Sequence, residues 1–298
     1  MRRNICSYAA LCELPLAIVS SNLVEEGRLA TTIICFINQK GGCGKSSCTF
    51  HLGGEFAKSG RRVLLVDADP QGSLSQGFFG PARVEVMPMH DTLAGIFGAD
   101  VQPSTVRRLT QPSGFERLDI ICANQTLAPY NFPSPEKSGF AQFELSQLLD
   151  DAKELDLVLI DCPPNLYQCS WNALISADYV VIPVPPEDFG TQGLRVVQQA
   201  IEHARQLNPR LKLLGHLVTR SDSRLLVHQS YEQRLRTIYG ASVLRTVIPE
   251  AVAFKMSLAQ RTPVTFAYPD TKAAEAITAL RCELAQRMSE PKQLRQVA

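Results

Sequence analysis

One stretch, Lys40-Gly-Gly-Cys-Gly-Lys-Ser46, constrains this chain more than any other. It follows the apolar, β-rich run Thr32-Ile-Ile-Cys-Phe-Ile-Asn38, and it precedes Ser46 to Ser59, whose composition suits a helix closed by Gly60. Strand, glycines, lysine, hydroxyl and helix in that order make a phosphate-binding loop. Glycines let the backbone wrap an anion closely, so that the N–H groups of Gly41, Gly42, Cys43 and Gly44 turn inward as a nest. The helix start adds the positive end of its dipole. Lys45 is placed to contact the outer phosphates, Ser46 Oγ to bind Mg²⁺, and the Ser47 hydroxyl to reach the α-phosphate.

The rest of the chain continues the alternation. Apolar runs at Arg62–Asp67, Leu118–Cys122, Leu157–Asp161, Tyr179–Val184, Leu211–Thr219 and Val243–Ile248 read as buried strands. Helical patterns lie at Phe140–Glu154, Gln192–Leu207, Arg224–Tyr239 and Thr271–Met288, with a short helix near Thr92–Phe97. Fully apolar strands alternating with helices predict an α/β fold: a single doubly wound, mostly parallel sheet of about seven or eight strands, covered on both faces. The segment from Gly72 to Gly114 gives no clear period, and Asn124–Gly139, with three prolines, reads as an extended surface loop.

Composition narrows the function classes. With 298 residues, 45% hydrophobic and a net charge of +1, the chain has a sizeable core and no global attraction for nucleic acid or membrane; any such surface has to be a local patch. Its nine cysteines form no CxxC pair and several sit in strand-like runs, which points to buried free thiols in a reducing cytosol. Residues 1–30 read as a flexible extension, because Cys12, Glu13 and Pro15 interrupt the early apolar run. The domain is expected at 31–290 and a tail at 291–298, and no run is long enough to span a bilayer.

Three aspartates end strand-like runs: Asp67, Asp69 just beyond it, and Asp161. Carboxyl ends of strands line the ligand crevice in an open α/β sheet. Asp161 has the placement of a Walker B carboxylate and is expected to hold Mg²⁺. Asp67 and Asp69, two apart, share a face of an extended segment, so one suits the metal's water shell and the other the attacking water. Lys40, a second lysine at the start of the loop, has two roles open to it: a solvated loop residue, or a cation delivered to a phosphate whose charge needs stabilising during transfer. Spacing does not say whose phosphate.

Together, Asn38-Gln-Lys-Gly-Gly-Cys-Gly-Lys-Ser-Ser47, Leu64-Leu-Val-Asp-Ala-Asp-Pro-Gln-Gly72 and Leu159-Ile-Asp-Cys-Pro-Pro164 resemble the three core motifs of the ParA/MinD ATPases, and most of all the ParA/Soj partition branch. The resemblance runs from Thr31 to Met288. It implies a slow ATPase with ATP and Mg²⁺ as cofactors, forming a homodimer on ATP binding and stimulated by a ParB-like or cargo-adaptor protein. It assigns Lys40 to the partner's ATP, Lys45 and Ser46 to phosphate and metal, Asp69 to the hydrolytic water, Asp67 to the outer metal shell and Asp161 to the metal. It implies adenine contacts near Thr219, Arg220 and the backbone of Pro249. Non-specific DNA binding, a cytoplasmic location and association with the nucleoid follow from the same likeness.

Departures matter too. After Ile248-Pro249, where the branch often carries basic residues, stand Glu250 and Ala253, with Lys255 alone basic. Arg224, Arg234, Arg236 and Arg245 remain as candidate DNA contacts, though Arg234 and Arg236 point about 200° apart on a helix. Two other readings compete. A membrane-cycling ATPase of the MinD kind needs a terminal amphipathic helix, which the mixed charges of Ala279–Met288 do not supply. An iron–sulfur reductase needs cysteines in glycine-rich settings, which Cys122 and Cys162 lack. No tyrosine cluster at the end of the chain suggests a kinase relative.

Overall fold

Residues along each central strand alternate between two cores. Ile34 and Phe36 face one, Ile33 and Cys35 the other, and all four are buried. The computed structural model describes residues 31–97, 105–186 and 191–289. The expected extension at 1–30 and tail at 291–298 lie outside them.

The first half runs β1 (Thr32–Phe36), α1 (Lys45–Lys58), β2 (Val63–Asp67), α2 (Ser73–Phe79), α3 (Pro81–Glu85), α4 (Val106–Leu109), β3 (Thr110–Phe115) and β4 (Leu118–Ile121). The second runs α5 (Glu144–Asp150), β5 (Leu157–Asp161), α6 (Gln168–Ser176), β6 (Tyr179–Val184), α7 (Thr191–Ala204), β7 (Lys212–Ser221), α8 (Leu226–Tyr239), β8 (Val243–Pro249), α9 (Val252–Ala259), α10 (Val264–Ala267) and α11 (Lys272–Ser289). One eight-stranded sheet has the order β3-β4-β2-β5-β1-β6-β7-β8. Every neighbouring pair is parallel except β3 with β4. This is the doubly wound sheet that the alternation predicts.

The helices divide between the faces. Phe50, Leu52 and Phe56 of α1, Phe254 of α9, and Ile277, Leu280 and Leu284 of α11 pack on one. Leu145 and Leu148 of α5, Ala173 of α6, Val197 and Ile201 of α7 and Leu235 of α8 pack on the other. The last helix therefore gives its apolar stripe to the core, as its mixed outer charges imply. Among the described residues no helix is long and apolar enough to cross a membrane. The seven described cysteines are free thiols, all buried but Cys282.

Three local expectations change. The unassigned stretch before Gly114 holds α2, α3, α4 and the antiparallel edge strand β3, whose Pro112 and Gly114 hide its strand character. Residues 124–139 are wound into short 3-10 turns around buried Leu127 instead of an extended loop, because the Asn124 side chain accepts from Thr126 N and donates to the carbonyls of Val84 and Met87. The helix expected from Phe140 starts at Glu144, after a 3-10 turn over Gly139–Phe143.

The free edge at β8 is closed by side chains. Glu283 of α11, almost fully buried, accepts from the backbone N of Arg245 and Thr246, both at 2.8 Å. Arg236 donates to the carbonyls of Leu244 and Arg245, and Arg287 to that of Val243. Arg287 also pairs with Glu283.

Candidate functional site

The site lies at the carboxyl ends of β1, β2, β5, β7 and β8, where loops and helix starts enclose a cavity of about 430 Å³. Gly41–Cys48, Asp69, Thr219, Arg220, Pro249, Glu250 and Lys255 are among its walls. The expected phosphate loop, the Asp69 carboxylate and the expected base contacts thus meet in one space.

The loop is shaped by its glycines. Gly42 and Gly44 have φ of +69° and +92°, a region side chains disfavour, and Gly44 is also the N-cap of α1. The Asn38 side chain anchors the loop's start: Nδ2 donates to Pro183 O at 2.7 Å on β6, and Oδ1 accepts from Lys40 N at 3.1 Å. Far along the chain, β7 clamps the loop's other side. Thr219 Oγ1 donates to Cys43 O at 2.7 Å, and Arg220 Nη1 to Gly42 O at 3.0 Å. Arg220 adopts φ of +54°, an uncommon conformation for its type, which interrupts the pairing of β7 with β8. Its Nε meets Glu250 Oε2 at 3.0 Å, while Lys255 Nζ meets Glu250 Oε1 at 2.9 Å. Those two cations hold the Glu250 carboxyl below its ordinary range, Lys255 most, against a smaller upward push from burial.

Lys45, buried, sends Nζ to the carbonyls of Asn38 and Lys40 at 3.1 and 3.2 Å and toward Cys43 Sγ at 3.8 Å. Burial raises the Cys43 thiol, with Lys45 opposing. Ser46 and Ser47 are half-buried cavity walls. Lys40 is half-buried at the loop's lip.

Asp67 and Asp161 sit opposite one another in the register of β2 with β5. Both are fully buried, and neither oxygen of Asp161 has a hydrogen-bond partner. Burial drives the Asp161 carboxyl well above its usual range and Asp67 beside it adds to the shift; the Ser46 hydroxyl and the Lys45 ammonium oppose it. An orphaned carboxylate at a strand end, facing a serine hydroxyl and a lysine, fits a divalent cation held with a triphosphate. Asp67 is engaged within the protein. Its oxygens accept from Ser75 N and Oγ and from Asp69 N, and burial, partly offset by Ser75, pushes it up to about 7. Asp69 accepts from Gln71 N at 3.0 Å and remains a cavity wall; burial raises it and Lys45 pulls it down.

Most of the candidate DNA contacts fold onto partners within the chain. Arg224 folds onto Asp222, Arg236 onto Glu232 and the β8 carbonyls, Arg245 onto Glu283 and Gln286, and Lys255 onto Glu250, while Arg234 lies on the exposed face of α8. Sequence reasoning missed Asn38, Ser75 and Glu250 as parts of the site. Asn38 and Glu250 stood inside or beside quoted motifs. Ser75 gave no signal, because the helix that carries it was not legible.

A family profile described as an AAA domain matches residues 31–213. The chromosome-partitioning ATPase Soj of Thermus thermophilus is 36% identical over 78% of this chain and 89% of its own length. The chromosome partitioning protein ParA of Myxococcus xanthus is 31% identical over 89% of this chain and 92% of its own. Among solved structures, cobyrinic acid a,c-diamide synthase of Mycobacterium smegmatis, with a bound ATP analogue and magnesium, superposes with a TM-score of 0.70 at 27% identity, covering 87% and 96% of the two chains.

Proposed function

The chain belongs to the ParA/MinD superfamily of P-loop ATPases, and from that premise we propose that it binds MgATP, dimerises around it and hydrolyses it slowly to partition or position DNA or another cargo. The observation that carries this reading is the buried, unpartnered Asp161 carboxylate facing a glycine loop that presents Lys45 and Ser46. Relatives named as partition ATPases, and a neighbour solved with an ATP analogue and magnesium, support it.

In this reading the amides of Gly41–Gly44 and Lys45 Nζ bind the phosphates, and Ser47 the α-phosphate. Thr219, Arg220 and the Pro249 backbone face the base. Ser46 and Asp161 hold the magnesium, with Asp67 contributing charge to its outer shell. A magnesium ion held there would supply positive charge against the triphosphate oxygens. Asp69, fixed in a bonded turn, orients the attacking water. Lys40 reaches across a dimer to the partner's nucleotide. The dimer is cytoplasmic and contacts DNA non-specifically through Arg224, Arg234 and Lys255, and a ParB-like or adaptor protein stimulates turnover.

A Lys40→Ala variant tests the arrangement. It is expected to bind MgATP near-normally, to stay monomeric by light scattering, and to lose stimulated hydrolysis by about 10³-fold, or about 4 kcal/mol. A variant that dimerises with ATP and turns over fully overturns the cross-subunit role. The carboxylate partners of Arg224 and Lys255 favour a second reading, a protein cargo. Beside those paired charges, Leu226 and Val252 stand 76% and 68% exposed at the starts of α8 and α9.

A further inference from the structure

Asp69 does not hold its own position. Its backbone N donates to Asp67 Oδ1 at 3.1 Å, so the placement of Asp69 depends on Asp67. Asp67, in turn, is gripped by one residue. Ser75 donates to Asp67 Oδ2 twice, from N at 2.8 Å and from Oγ at 2.7 Å. The same hydroxyl oxygen accepts from Ala123 N at 2.9 Å, just past the end of β4. Ser75 is fully buried. It ties the ends of β2 and β4 to the first turn of α2 through a single side chain.

The turn between Asp69 and Ser75 has no slack. Gly72 N donates to Asp69 O at 2.8 Å, Gln71 N to Asp69 Oδ1 at 3.0 Å, and Gln76 N to Gly72 O at 2.8 Å. Gly72 has φ of +64°, and a Cβ there would stand 2.5 Å from Ala123 O, so the turn is wedged against the end of β4. A carboxylate held this way is pre-organised, and small displacements of such groups weaken catalysis far more than binding.

We propose that Ser75 is a positioning residue for ATP hydrolysis: through Asp67 it fixes the turn that presents Asp69 to the attacking water. The assignment rests on the reading of Asp69 given above. Ser75 lies outside the cavity's walls, so it has no direct part in holding nucleotide. Loss of its hydroxyl leaves Asp67 Oδ2 with the backbone N of residue 75 as its one donor and Ala123 N without its acceptor. Asp69 then wanders while the phosphate loop stays in place.

The test measures phosphate release and MgATP affinity on the full chain for Ser75→Ala, Ser75→Thr and Asp69→Asn. Ser75→Ala is expected to lower kcat about 10- to 100-fold with KM and nucleotide affinity changed by less than about threefold. Ser75→Thr, which keeps the hydroxyl, is expected to stay within about threefold of the parent in kcat. Should Ser75→Ala fail to fold by thermal melting, Ser75→Cys fills similar space with a weak donor and is expected to show the same split. Unchanged kcat in a folded Ser75→Ala, equal losses in the alanine and threonine variants, or affinity falling in step with kcat overturns the assignment. An Asp69→Asn variant that hydrolyses normally overturns the reading of Asp69 and the assignment with it. An inactive Asp69→Asn beside an active Ser75→Ala overturns the assignment alone.

Discussion

Asp161 carries two oxygens that no group of the protein satisfies, and the sheet holds it against Asp67. Without a cation this is a cost to folding. Because the folded-state pKa is raised, the stability linked to its proton is fully present below about 3.8, the unfolded value, and is lost as pH rises toward the folded pKa. Asp161→Asn removes that dependence. In nucleotide-free protein at neutral pH it is expected to stabilise by about 1–2 kcal/mol, roughly 2–6 °C in Tm, while abolishing Mg²⁺-dependent nucleotide binding. The gain over the parent is expected to grow from pH 5 to pH 8. The difference cancels His51, whose burial lowers its pKa to about 3 and gives the opposite slope between there and 6.5. Thermal melts of both proteins at the two pH values check the sign; a gain that shrinks with pH contradicts it. Asp161, Asp69 and the loop lysines were legible in the sequence because strand-end carboxylates and glycine loops have fixed neighbours in the chain. Ser75 and Glu250 were not, since their partners come from other elements.

Elements with one strong period were read correctly, and those set by tertiary partners were not. The central strands β1, β2, β5 and β6 are apolar throughout because helices cover both faces, and α8 and α11 show their stripes plainly. By contrast, β3 is half-exposed, contains Pro112, and exists only because β4 offers it an edge. Nothing local marked α9 or α10 either; α9 is apolar with an exposed Val252 and Met256, and α10 has only four residues. The opposite edge, β8, depends on Glu283. Its carboxyl stays below the ordinary range although burial pushes it up, because the Arg245 and Thr246 N–H groups and the Arg287 guanidinium outweigh burial. Glu283→Ala leaves two backbone donors and Arg287 without their acceptor, and is expected to destabilise by about 3 kcal/mol in urea unfolding. With the edge uncovered, the variant is also expected to self-associate more at high concentration. Retention of full stability would show that solvent replaces the carboxylate.

At the scale of the whole molecule, the near-neutral charge and the internal partners of the basic residues make a definite statement about DNA. The three cations assigned to DNA, Arg224, Arg234 and Lys255, are exposed, Arg224 and Lys255 by 87% and 73%, so a dimer would neutralise about six phosphates. Retention on non-specific DNA is then expected with ATP and not with ADP, and to weaken by about a thousandfold when salt rises fourfold. A binding assay at two salt concentrations decides it; no ATP-dependent retention at low salt turns the assignment to a protein cargo. The loop that begins the site and the β7 residues that clamp it have one more consequence. Thr219 reaches Cys43 across 176 positions of chain, and Pro249 and Phe254 come later still. A ribosome adds residues from the amino end. The glycine loop therefore emerges early and lacks its β7 clamp until most of the protein has been made, so a growing chain meets cellular ATP with only half a grip.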